Sequence, residues 1–271
     1  MVLQRIKHLT NEREAHAVFE GFCISQGAPR QSYAVIAASG ANASTLHYDA
    51  NDQPLEGKQT MLLDAGCEWG CYASDVTRTF PLKGKWSKEG EEINKVVERM
   101  QRETIDAIRP GRLYYKLHLV ACLVAVEELM KLGILHNGTR SEILSKGTVA
   151  AFFPHGLGHH VGLEVHDVSG RERLLLSSSS AVNGQAVPGA KRLPRMKREQ
   201  VMPEDLAAMY REAMMDTDEV KGAAAPPPYR GRQRLKENMV VTIEPGMYVY
   251  LSPLTLILPS FLSLTILIFP P

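Results

Sequence analysis

TMLLDAGCEWGCYASDVTRTF, residues 60–80, clusters apolar and β-branched residues on either side of a glycine-containing centre and is predicted to form two strands joined by a short turn. Asp64 and Asp75 lie symmetrically about Trp69-Gly70, so with those two residues as the turn the aspartates face each other across the strands. Directly opposed residues on one sheet face have Cβ atoms about 5 Å apart. Two ionised carboxylates that close repel each other and stay ionised only with a cation between them. Asp64 follows Met61-Leu62-Leu63 and precedes Ala65-Gly66, an apolar setting unlike an exposed edge, and carboxylates are rarely buried unpaired. The pair reads as part of a metal site in preference to two solvated surface aspartates.

Upstream, Thr10 is placed to cap a helix running to about Gln26, with Gly27 where a helix terminus favours a left-handed residue. YAVIAA at 33–38 reads as a strand. Downstream, Ser87 opens a helix in which Ile93, Val96, Val97, Met100, Ile105 and Ile108 recur near helical spacing until Pro110-Gly111 ends it. A second helix is predicted from Tyr114 to Leu132, stopped by Gly133, and strands are predicted at TVAAFF (148–153) and HHVGLEVHD (159–167). From Gly170 to Pro228 the chain turns polar and biased, with a Ser177–Ser180 run, the basic stretch KRLPRMKRE and AAAPPP, as an inserted loop would. Leu206, Met209, Tyr210 and Ala213 share a face there and suit one amphipathic helix; the basic stretch reads as a solvated loop. Order returns at Met239.

The chain has 271 residues, 44% of them hydrophobic, enough to fill a sizeable core. A soluble globular enzyme is the class expected. Lys and Arg number 31 against 30 Asp and Glu, a formal charge of +1, so no electrostatic footprint for nucleic acid is present. Cys23, Cys67, Cys71 and Cys122 are too few for a disulfide framework and fit a reducing, cytoplasmic setting. Cys67 and Cys71 lack a second pair at zinc-site spacing, and residues 1–13 contain no apolar run of signal-peptide length.

Two further stretches carry chemistry. PHGLGHHVGLEVHD, residues 154–167, crowds His155, His159, His160 and His166 among glycines, and neutral imidazole is a ready metal ligand or proton carrier. In strand geometry His159 and His160 point to opposite faces, so at most one of them is expected to serve the same site, and the other reads as structural. VVTIEPGMY, residues 240–248, puts Glu244 at the end of an apolar strand, either as a solvent contact or as a ligand.

DAG at 64–66, SDVTRTF at 74–80, HGLGH at 155–159, VHD at 165–167 and TIEPGMY at 242–248, in this order, resemble the pita-bread metallopeptidases, specifically prolidases and Xaa-Pro aminopeptidases, over residues 1–250. The resemblance implies an α+β fold with a curved antiparallel sheet covered by helices. It also implies a two-metal centre, usually manganese, held by two aspartates, one histidine and two glutamates. Carried over, Asp64, Asp75, His159 and Glu244 occupy ligand positions, and so oxygen-rich a set suits a hard ion such as Mn²⁺. The same resemblance makes Glu244 the general base and His166 a donor to the attacked carbonyl. It lays His155 against the substrate, brings His47 in from a loop, and gives Arg230 the substrate carboxylate. The implied partner is a proline-containing peptide, and a homodimer is compatible with the family.

Two departures stand out. The chain is expected to start inside the family's catalytic domain, so the family's additional amino-terminal domain is not expected within residues 1–271. The family's fifth ligand is a glutamate in a Gly-Gly-x-Arg-x-Glu context, whereas this sequence has no Asp or Glu after Glu244 and ends in the uncharged LSPLTLILPSFLSLTILIFPP, residues 251–271. That tail reads as a stretch unrelated to the family that replaces its last strands, ahead of a membrane anchor interrupted by Pro253 and Pro259, or a buried family strand. The rival functional classes are a non-catalytic binding module on the same fold and a creatinase-like or methionine-type relative.

Overall fold

The computed structural model describes residues 1–168, 174–175, 233–251, 256–261 and 264–267, those from 249 onward by their backbone course. Its largest core is built on two helices, α3 (Lys88–Asp106) and α4 (Tyr114–Lys131). Ser87 starts α3 by accepting a hydrogen bond from Gly90 N, and Ile93, Val96, Val97 and Met100 form its buried stripe. Helix α4 is apolar on most of its circumference and is buried at Leu117, Val120, Ala121, Val124, Ala125 and Leu129. Both pack with Val241, Ile243 and Met247 of strands β7 (Val240–Ile243) and β8 (Gly246–Leu251). Each fully buried aliphatic side chain contributes about 2 kcal/mol, which fixes the platform from which Glu244 projects. Between α4 and the histidine-rich stretch lies α5 (Arg140–Ser145), closed at its start by a Thr139–Glu142 capping box.

A second core joins the amino-terminal α1 (Val2–Arg5) and α2 (Glu12–Ser25) to a three-stranded antiparallel sheet through Val2, Ile6, Ala15, Ala37, Met61 and Phe80. β1 (Arg30–Gln31) pairs with β4 (Cys67–Trp69), and the sheet's strands run in the order β2 (Ile36–Ser39), β3 (Thr60–Asp64), β6 (Thr77–Pro81). Asn11, not Thr10, caps α2, accepting from Arg13 N, while the Thr10 side chain binds Glu14.

The 60–80 segment forms a hairpin, but its pivot differs from the expected one. β4 (Cys67–Trp69) and β5 (Tyr72–Ala73) pair Trp69 with Tyr72, and the turn is Gly70-Cys71 with φ of 58° and 69°. A two-residue turn that matches strand twist needs both central residues left-handed. Gly70 accepts this freely, and Trp69 stays in the strand. Asp64 is therefore opposite Thr77, not Asp75. Moving the pivot by one residue shifts each partner by two, so Asp64 and Asp75 are offset along the hairpin yet retain the same facing parity.

Two predicted strands are absent from their positions. Thr148–Ala151 is a 3-10 helix, with Phe152 and Phe153 amides bonded back to Val149 O; Val149 and Phe153 are buried in the α3–α4 core, which satisfies their apolar character without a ladder. Residues 159–167 form a folded-back loop, closed by Asp167 N to His160 O at 3.0 Å and Gly162 N to Glu164 O at 3.1 Å, with a single bridge from His160 to Val241.

Within the tail, β9 (Leu256–Phe261) pairs antiparallel with β8, and β10 (Leu264–Leu267) with β7. Apart from residues 174–175, the expected inserted loop lies outside the described residues, as do the helix expected around 206–213 and Arg230. Among the described residues no helix is long and apolar enough to cross a membrane.

Glu12, fully buried at the start of α2, accepts from Ser39 N and Oγ (both 2.7 Å), Asn42 Nδ2 (3.0 Å), Tyr48 Oη (2.8 Å) and Gln53 N (3.1 Å). Burial pushes its carboxyl upward, but hydrogen bonds from Ser39, Asn42 and Tyr48 outweigh it and hold the group below the ordinary glutamate value. A depressed folded value means stabilisation present in full above the unfolded value and lost as pH falls through the folded one. The stability gap between the native chain and Glu12→Gln is accordingly expected to be flat above about pH 5.5 and to shrink in acid. Urea unfolding across a pH series measures it, and a gap that widens in acid contradicts the assignment.

Candidate metal centre

Four chain segments deliver polar side chains to one cavity of about 580 Å³. Asp64 ends β3, Asp75 precedes β6, His159 comes from the glycine-rich loop, and Glu244 ends β7; His47, His155 and His166 line the same cavity. His159 Nε2 lies 3.2 Å from Asp75 Oδ2 and 3.0 Å from Glu244 Oε1. One donor atom from each of Asp75, His159 and Glu244 falls within 4.8 Å of the others. Asp64 stands beside them, linked to Asp75 through Tyr33: the Tyr33 hydroxyl is 2.5 Å from Asp64 Oδ1 and 3.0 Å from Asp75 Oδ1. A hydroxyl carries a single proton, so two carboxylates crowd one donor.

The segments are held by bonds distant in sequence. Thr242 N donates to His159 O at 2.9 Å, His159 N donates to Thr242 Oγ1 at 3.0 Å, and Thr242 Oγ1 donates to Glu244 Oε1. The fully buried Tyr114 donates to Thr242 O at 2.6 Å. His159 Nδ1 donates to His160 O at 2.8 Å, so the lone pair of the neutral ring is on Nε2, facing the carboxylates. His160 turns away and its Nε2 meets Gln233 Oε1 at 2.6 Å. His155 Nδ1 donates to Gly156 O, and its ring packs edge-on against Phe153 and Tyr248. His166 lies against the His159 ring, centroids 4.1 Å apart.

Charge in this cavity is unbalanced toward the negative. Burial, with repulsion from Asp75 and Glu244, pushes Asp64 up to about 7 against the lowering hydrogen bonds of Tyr33 and Thr77. Burial would lower His159, but the adjoining Asp75 and Glu244 carboxylates outweigh it and push the ring up to about 10. Burial lowers His155 and His166. Among the described residues, buried Nε2 of His159 finds no hydrogen bond of acceptable geometry despite two carboxylate oxygens close by, the disposition of donors that share a cation. Three carboxylates and one imidazole, neutral ring lone pair inward, fit a divalent ion of hard to borderline character.

Tyr33, Thr242 and Tyr114 escaped the sequence reading. Tyr33 opens the apolar run YAVIAA and carries no local signal of its own, and the two others act through contacts far along the chain.

Carboxylates and one imidazole gathered from four segments of an α+β frame make a donor set of the kind that holds divalent metal ions. The chain belongs to metallopeptidase family M24, whose profile spans residues 1–256. It is 87% identical over 259 residues to a probable Xaa-Pro aminopeptidase of Sordaria macrospora, a match covering 92% of this chain and 44% of that protein. Among solved structures it resembles aminopeptidase PepP of Pseudomonas aeruginosa, with TM-score 0.71 and 26% identity across 99% of this chain and 50% of that one. A variant of Escherichia coli aminopeptidase P in complex with substrate superposes with TM-score 0.70 and 26% identity over the same shares. The fold is thus the pita-bread fold that the motifs implied. The chain spans about half the length of these relatives.

Proposed function

We propose that this chain carries the metal centre of a peptidase that hydrolyses the bond between an amino-terminal residue and a following proline. The convergence of Asp75, His159 and Glu244 donor atoms within 4.8 Å carries the reading. Asp64 and Asp75 are the pair for two ions, manganese being the candidate for an oxygen-rich set. Bound there, divalent ions supply Lewis acidity toward water and a peptide carbonyl.

The chain's own groups then divide the work. Glu244, whose Oε1 is oriented by Thr242, takes the proton of the attacking water and passes it to the departing proline nitrogen. His166, exposed and lying against the His159 ring, donates to the oxygen on which charge develops. His155, fixed through Gly156 O and wedged between Phe153 and Tyr248, and His47 on the facing loop are walls against which the peptide is aligned. Arg230 is assigned the substrate carboxylate. The four cysteines are free thiols, which suits a cytoplasmic setting; a homodimer is compatible with the reading.

Xaa-Pro peptides incubated with the purified chain and added Mn²⁺ are expected to release the residue before proline, and chelation is expected to abolish release until metal is restored. Hydrolysis that persists in chelator, or equal cleavage of Xaa-Ala peptides, defeats the reading. A second reading, a pita-bread binding module without catalysis, is favoured by one observation: β9 and β10, paired with β8 and β7, carry no carboxylate. Metal analysis separates the two, since a module of that kind retains no stoichiometric transition metal.

A further inference from the structure

Glu12 stands outside the donor set, yet its hydrogen bonds bracket one wall of the cavity. Ser39 and Asn42 bind one end of the connection between β2 and β3, Tyr48 and Gln53 the other. Between these anchors, Ala43, Thr45, Leu46, His47 and Asp49 line the cavity. The arc has little packing of its own: Leu46 is 53% exposed, while Ala43 and Tyr48 rest on the small Ile36–Leu62 cluster. His47 adopts φ 56°, a left-handed conformation that a non-glycine residue holds only when its surroundings impose it. Tyr48, the next residue, is tied directly to Glu12 Oε2 at 2.8 Å. Both carboxylate oxygens receive only donors, so an amide in either orientation turns its NH₂ toward donors and breaks one anchor.

Building on the peptidase reading above, we propose that Glu12 is a positioning residue: its carboxylate sets where the arc 43–49 stands over the metal centre, and turnover depends on Glu12 through His47.

A double-mutant cycle on the metal-loaded chain tests this. Glu12→Gln is expected to lower kcat/KM for an Xaa-Pro peptide roughly 10- to 100-fold, the scale of a misplaced aligning group, with bound metal unchanged. In a His47→Ala background the same substitution is expected to cost less than about 2-fold, because residues acting as one unit are non-additive. The fall in Tm from Glu12→Gln should be equal in both backgrounds, which separates positioning from general destabilisation. Tyr48→Phe, which removes one anchor bond and keeps the ring, serves if Glu12→Gln fails to fold; its smaller loss should also vanish beside His47→Ala. Equal factors in both backgrounds, or no activity change in either variant, overturn the proposal. Hydrogen–deuterium exchange reads the arc without any turnover: amides 43–49 should exchange faster in Glu12→Gln, and unchanged exchange also overturns it. Faster exchange in Glu12→Gln, together with an unsubstituted chain that cleaves no Xaa-Pro peptide, counts against the peptidase reading alone.

Discussion

Glu244→Gln is expected to lower kcat for an Xaa-Pro peptide by roughly 10³-fold or more, the range spanned by loss of a general base, while the protein remains folded. The side chain is nearly isosteric and keeps an oxygen to accept from Thr242, so the platform made by β7 and the α3–α4 core should survive. What disappears is the negative charge 3.0 Å from His159 Nε2. The proton acceptor and one anionic donor go together, and metal affinity should fall as well, by at least the roughly 10- to 100-fold that loss of a ligand's outer partner costs. Steady-state kinetics with metal analysis and a melting curve on one preparation measure all three. Activity within about 10-fold of the unsubstituted chain would remove Glu244 from the proposed base role.

Gly158→Ala is expected to cost a large share of the chain's stability. A Cβ at this position would lie 2.4 Å from Thr242 O, 2.5 Å from Thr242 Oγ1 and 2.6 Å from Tyr114 Oη. None of these can retreat cheaply: one is backbone in β7, one holds His159 and Glu244, and Tyr114 is fully buried. Overpacking a rigid interior costs about 3 kcal/mol at its upper range, a large part of a native margin of about 5–15 kcal/mol. Urea unfolding should show that loss together with reduced metal binding, because the displaced Thr242 orients two donors. A change smaller than about 1 kcal/mol would mean that the His159 loop and β7 are not locked together as described.

Local rules explain why much of the frame was readable. Ser87 and Gly133 punctuate α3 and α4 as their capping chemistry dictates, and the apolar period of α3 marks its buried stripe. Where local rules erred, two satisfactory outcomes competed. Val149 and Phe153 suit a strand, but they bury equally well from a 3-10 turn once Gly147 closes α5 in a left-handed conformation. Thr10 and Asn11 are both competent caps, and the side chain that reaches Arg13 N is that of Asn11.

The sequence by itself determined that Asp64, Asp75, the 154–167 histidines and Glu244 sit at the ends of apolar segments or beside glycines, because spacing and turn chemistry are written within a few residues. Tertiary structure alone decided the offset of Asp75 from Asp64, the inward turn of His159 against the outward turn of His160, and the presence of Tyr33 between two carboxylates. Those outcomes rest on partners such as Thr242 and Gln233, 83 and 73 residues away from the histidines they orient. Such bonds exist only after the cores have closed, so no local pattern encodes them.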